Sequence, residues 1–155
     1  SSAASDVYKR QMLMSASRHE HVEHVLRPAI GSGTIVICDR FYDSTRVYQG
    51  IVGGVPEADI EALNTLACGS LVPDLTILLD MDVDEGLRRA DERQTAETRF
   101  ESKGIDFHRK VREGFLELAA RFGDRFVVID AGRDIDHVTS EIEAAVLPRL
   151  SVALR

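Results

Sequence analysis

Three short apolar runs, rich in β-branched residues and without polar alternation, punctuate the chain: TIVIC at 34–38, LTILL at 75–79 and FVVI at 126–129. That pattern predicts strands buried on both faces, as in a parallel sheet. Around the runs, apolar residues return at helical spacing. A first helix is expected over 12–30 on Leu13, Ala16, Val22, Leu26 and Ile30, with Gly31 as its stop and Pro28 kinking or tightening its last turn. Pro56 fits the start of a second, striped by Ile60, Leu63, Leu66 and Ala67 and ended by Gly69. Asp82 and Glu85 stand as an N-cap and its N3 partner before a helix through Leu87 and Ala90. A long amphipathic helix follows on His108, Val111, Phe115, Leu118 and Phe122. Asp134 can cap a last one on Ile135, Val138, Ile142 and Val146, which Pro148 stops. Strands alternating with helices imply βαβ units, hence an α/β fold with a parallel sheet of three strands flanked by helices.

Length and composition narrow the classes. A chain of 155 residues is one domain able to bury a core, and 44% hydrophobic with 29% charged residues is ordinary for a globular protein. The formal charge of −7 argues against a nucleic-acid partner. Neither a membrane-length apolar run nor a signal-peptide pattern occurs, so the expected location is cytoplasmic with no membrane partner. Cys38 and Cys68 read as free core thiols. His19, His21 and His24 lack the spacing of a zinc motif and fit an exposed helix face better. Residues 1–11, SSAASDVYKRQ, carry no periodic apolar pattern and are expected to be a non-native or disordered leader outside the fold.

Candidate chemistry gathers after the first run. Asp39 and Arg40 fall at the carboxyl end of the expected strand, where open α/β sheets place ligands. The carboxylate suits a metal or water, the guanidinium a phosphate; the plain alternative is a structural ion pair at a strand end. Thr45, Tyr48 and Gln49 stand at i, i+3, i+4, so one helical face would show a hydroxyl, a phenol and an amide to a small polar molecule. Further on, Arg88, Arg89, Arg93 and Arg99 lie in or beside a stretch too poor in apolar residues to pack a core, which is expected to be mobile. Cations on a closing lid are what phosphoryl transfer requires, although a charged run is more often a solvated face.

The string DRFYDST followed by VYQG, then PDLTILLD and the arginine-rich stretch, resembles bacterial thymidylate kinases from about residue 12 to about residue 146. The resemblance implies a P-loop kinase-like sheet, dTMP and ATP as substrates, Mg²⁺ as cofactor, dTDP as product and a homodimer in the full-length form. It implies that Arg40 binds the acceptor phosphate and that Asp39 organises Mg²⁺ or its waters. Arg18, in MLMSASR, matches the base-reading arginine, and Met14 stands where the family usually stacks a phenylalanine on thymine. Thr45 and Gln49 would line the base, and Tyr48 would crowd the sugar 2′ position. Arg93 first, then Arg89 and Arg99, would close a lid at about 91–101 over the phosphates, and Gly132 and Arg133 would turn past the adenine.

One expected part is missing. The phosphate-donor loop GxxxxGK[ST] has no counterpart here, and GSGTIV at 31–36 lacks the lysine and runs into a strand instead of a helix. The chain is therefore expected to be N-terminally truncated: a partial, inactive kinase domain over 12–150. It would lack the strand between the first two runs, and the resulting open edges would make it marginally stable or prone to close up or recruit a partner. The alternatives are a related deoxynucleoside or nucleotide kinase, or a non-catalytic nucleotide-binding module.

Overall fold

The structure, a computed structural model, describes the backbone of residues 2–93 and 104–153. It divides into two compact units, Ser1–Val72 and Pro73–Arg155.

In the first unit, helix α1 (Ser2–His21) passes into a widened π-helical turn, Val22–Leu26, and then into α2 (Arg27–Gly31). Pro28 explains the widening. It has no N–H and its ring would collide with the His24 carbonyl one turn back, so the helix changes register just before it, and the Arg27 amide reaches the Val22 carbonyl five residues earlier. The helix also corrects two expectations. Residues 2–11 continue α1 and do not stand apart: the Tyr8 hydroxyl donates to Asp59 at 2.9 Å, and Gln11 is fully buried. The face that packs inward is not the most apolar one. Gln11, Ser15, Val22 and Leu26 are buried, whereas Leu13 is 73% exposed. Helix α4 (Glu57–Cys68) repeats this, burying Ile60, Asn64, Ala67 and Cys68 and leaving Leu66 at 75% exposure.

Residues 34–38 are not a strand. Their backbone finds no ladder among the described residues, and the Thr34 amide returns to the Ala29 carbonyl at 3.0 Å. The run still alternates, Val36 packing against the core while Ile35 and Ile37 face out at 58% and 95% exposure. An apolar β-branched run forms a strand only where another strand can take its amides and carbonyls. Two short helical pieces follow, α3 (Tyr42–Thr45) and a second π-helical turn, Arg46–Ile51. The core of this unit joins Val22, Leu26, Tyr42, Ala67 and Cys68.

The second unit carries the sheet, which among the described residues has two strands and not the expected three. β1 (Thr76–Asp80) pairs in parallel with β2 (Phe126–Asp130), Thr76 opposite Phe126 and Asp80 opposite Asp130. Helices α5 (Val83–Arg93) and α6 (Ile105–Arg121) lie between the strands in sequence, and α7 (Ile135–Ala153) follows them. Asp82 accepts the amides of Asp84 and Glu85 at 3.0 and 3.4 Å, and Asp134 accepts that of His137 at 3.0 Å, so both expected caps form. Glu85 does not complete the capping box; its carboxylate turns to Arg88 and Arg89. Pro148 does not stop α7. The Arg149 guanidinium donates to the Ala145 carbonyl at 2.8 Å, next to the Ala144 carbonyl that the proline leaves without its helical N–H. No described helix is long and apolar enough to cross a membrane.

Candidate functional site

An open pocket of about 450 Å³ lies in the first unit, lined by Leu13, Met14, Ser17, Arg18 and His21 of α1 and by Cys38, Arg40 and Phe41 of the segment after it. Arg40 is the one non-glycine residue with positive φ among the described residues, at 61°. A side chain is rarely held in that left-handed region unless its surroundings over-determine it, and such strain concentrates at working sites. Here the Cys38 thiol donates to the Arg40 carbonyl at 3.4 Å, and the Arg40 guanidinium lies 5.4 Å from the Tyr48 ring centre. Although the residue is exposed overall, partial burial of its sulfur, then the neighbouring Asp39, pushes the Cys38 thiol above its ordinary value, which keeps it a donor.

Arg18 is half-buried. Its Nη2 donates to the Thr45 hydroxyl at 2.9 Å, its guanidinium stands 5.8 Å from the Phe41 ring centre, and Nη1 is enclosed without a hydrogen-bond partner. Burial draws its pKa down, offset in part by Cys68 and Cys38, and an arginine stays cationic under that pressure.

The fold thus brings Met14, Arg18 and Arg40 to one pocket and ties Thr45 and Tyr48 to it through the two guanidinium groups. Gln49 is half-buried, with Oε1 enclosed and unpartnered, but does not line the pocket. Neither does Asp39, exposed on the bend beside Arg40. The expected α-helical face for Thr45, Tyr48 and Gln49 is corrected too: Thr45 ends α3, and the other two lie on the π-helical turn. Cys38, expected in the core, is an exposed thiol, and Cys68 is buried. Sequence reasoning passed over Cys38 and Phe41 as pocket walls, although both flank the Asp39–Arg40 pair. It passed over Arg46 entirely.

In the second unit, Arg89 of α5 donates to Glu85 at 2.7 Å and to the carbonyls of Ala131 and Gly132 at 3.1 and 3.2 Å. The Gly132 amide donates to the Asp130 carboxylate at 2.8 Å, and a Cβ there would come 2.9 Å from the same oxygen, the movable tip of that side chain. Arg133 is exposed beside it. Arg112 grips Asp80 with two bonds of 2.7 and 2.9 Å and so holds that carboxyl below its ordinary range. Arg99, most of the expected lid and the Arg93 side chain lie outside the described residues. No group of three or more potential metal ligands occurs among the described residues.

The sequence profile of the thymidylate kinase family matches residues 2–142, beginning inside the stretch expected to be a leader. The chain belongs to the thymidylate kinase family. It is 48% identical to the thymidylate kinase of Caulobacter vibrioides over 141 residues, which are 91% of this chain and 67% of that protein. The thymidylate kinase of Trichlorobacter lovleyi is 47% identical over 146 residues, covering 91% and 69%. That of Ruegeria pomeroyi is 44% identical over 140 residues, covering 90% and 66%. The chain spans about two thirds of the length of these thymidylate kinases.

Proposed function

We propose that the chain serves the transfer of the γ-phosphoryl group of ATP to dTMP, giving dTDP, and that its first unit is the dTMP site. The observation that supports this most is one pocket shared by Met14, Arg18 and Arg40. A nucleoside monophosphate needs a cation for its phosphate and an oriented donor for its base. Arg40 suits the first role by charge and fork geometry. Arg18 suits the second: an enclosed N–H without an acceptor costs about 1–3 kcal/mol, and a carbonyl of thymine accepts where the amine of cytosine cannot. Met14 offers a polarisable thioether to the base plane. Thr45 orients Arg18, Gln49 adds an amide near the base, and Tyr48 limits room at the sugar 2′ position. Asp39, a single exposed carboxylate beside Arg40, fits Mg²⁺, which is commonly held by one or two carboxylates together with waters and phosphates; bound there, the ion would neutralise phosphate charge. Arg89, Gly132 and Arg133 would serve the adenine end, with Arg93 and Arg99 on the phosphates, and a homodimer belongs to the same reading.

These 155 residues contain no GxxxxGK[ST] loop. Binding of dTMP is therefore expected of them, and turnover of ATP is not. Calorimetric titration with dTMP, dCMP, AMP and thymidine tests the reading. dTMP should bind most tightly and thymidine more weakly for want of the phosphate. A preference for any other of the four overturns it, and ADP formation by this chain with dTMP and ATP overturns the expected inactivity.

A further inference from the structure

We infer that Arg46 is a positioning residue that sets the shape of the dTMP site without touching its ligand; the inference rests on the proposed acceptor-site reading. Arg46 opens the π-helical turn. Its Nε and Nη2 donate to the two oxygens of Glu61 on α4 at 2.7 and 2.6 Å, and its Nη1 donates to Asp43 on α3 at 2.9 Å. The guanidinium also lies 4.8 Å from the centre of the Tyr42 ring. Its side chain is 16% exposed and that of Asp43 is 7% exposed, so water screens little of that pair, while Glu61, at 38% exposure, meets solvent on its outer side. The Glu61 bonds, more than any other cause, hold the guanidinium pKa above its ordinary value. With three donors committed to two carboxylates, Arg46 is spent on the protein.

What it holds is an unusual stretch of backbone. The Val52 amide reaches back five residues to the Val47 carbonyl at 2.9 Å, and the Val55 amide caps the Gln49 carbonyl at 2.9 Å. Gly53 closes the turn so tightly that a Cβ would sit 2.6 Å from the Gln49 carbonyl oxygen and 2.9 Å from that of Tyr48. A π-helical turn persists where its surroundings impose it. If the turn relaxed to α-helical register by one residue, Tyr48 and Gln49 would swing by about 100° about the helix axis. Tyr48 would leave Arg40, and Thr45, next to Arg46, would lose its alignment with Arg18. The clamp among Asp43, Arg46 and Glu61 is the arrangement that resists this.

The test uses the 155-residue chain. Arg46→Met should weaken dTMP about tenfold, bring the dTMP-to-dCMP affinity ratio close to one, and speed exchange of the Val52 amide by about tenfold or more. Arg46→Lys should restore part of the ratio, because a point charge can still hold one carboxylate. A role in stability alone would lower the unfolding midpoint and leave the ratio intact in the folded chain. An Arg46→Met chain with unchanged helix content and an unchanged ratio overturns the inference. If that variant does not fold, Glu61→Gln carries the same comparison, and an unchanged ratio there overturns it equally. An unaltered chain that binds neither nucleotide overturns the acceptor-site reading and this inference together, a result distinct from any loss confined to the variants.

Discussion

The two units are built on different terms. In the second, strands, caps and helix stripes stand largely where the residue pattern puts them, and its described buried residues are apolar or small. In the first, a short chain carries two π-helical turns and an arginine at positive φ, together with every buried polar side chain found among the described residues: Gln11, Ser15, Asp43, Thr45 and Asn64. Irregular backbone and buried polarity each cost free energy, and both gather in the unit that holds the candidate acceptor pocket. Local rules yield where a site is being shaped.

The largest effects distinguish the inward face of α4 from its outward one. Ile60→Ala removes a side chain that is 1% exposed and should cost about 3 kcal/mol. Leu66→Ala, on the same helix at 75% exposure, should stay within about 0.5 kcal/mol. Ile129→Ala in the second unit, also 1% exposed, should match Ile60→Ala. Urea unfolding measures all three, and a Leu66→Ala loss as large as that of Ile60→Ala would reverse the assigned face.

Next come two arginines, one in each unit. Arg18→Met should weaken dTMP by roughly 30-fold, about 2 kcal/mol for a charged hydrogen bond. It should leave stability unchanged or slightly higher, since an unpartnered enclosed nitrogen goes with it. Arg112→Met should do the opposite. Its pair with Asp80 is 38% and 21% exposed, so solvent screening limits the loss to about 1 kcal/mol, with dTMP affinity unchanged. If Arg112→Met weakens dTMP as much as Arg18→Met, the acceptor role cannot be confined to the first unit.

Asn64 offers a smaller test of buried polarity itself. Both polar atoms of its side chain are enclosed without partners, and the residue is 5% exposed. Asn64→Leu should therefore raise stability by about 1 kcal/mol. A loss on thermal or urea unfolding would mean that the amide is satisfied in solution.

The same contrast explains what the sequence could and could not convey. β1, β2 and both aspartate caps were legible because periodicity and end signals agree with what surrounds them. The pairing of Arg18 and Arg40 on one pocket followed from the thymidylate kinase resemblance. The run at 34–38 was misread because composition states a preference for extended backbone and says nothing of whether a neighbouring strand is there to pair with it. Val22, Leu26, Ile60 and Ala67 of the two stripes are buried as expected, but Leu13 and Leu66 are not, because Gln11, Ser15 and Asn64 take inward positions and periodicity counts apolar residues only. Arg46 escaped notice because its partner Glu61 lies on another element, and no spacing rule links them.

The smallest effect lies on the regular side, where α5 carries its charges in the open. Hydrogen bonds from Arg88, then from Arg89, hold the Glu85 carboxyl down to about 2, against an ordinary value of 4.5. A carboxylate held low in the folded chain stabilises it above the ordinary value, and the contribution drains away as pH falls from about 4.5 towards 2. An NMR titration of the Glu85 side-chain carboxyl should give its midpoint near the lower end of that window, and half-molar salt should move it upward, because exposed pairs are screened. The acid unfolding curve of Glu85→Gln should lose the corresponding slope between those limits. A midpoint at the ordinary glutamate value would mean that these ion pairs do not persist in solution. Arg89 would then be held at the 131–132 turn by its two carbonyl bonds alone, and α5 would draw no stability from the Glu85 pairs it carries in the open.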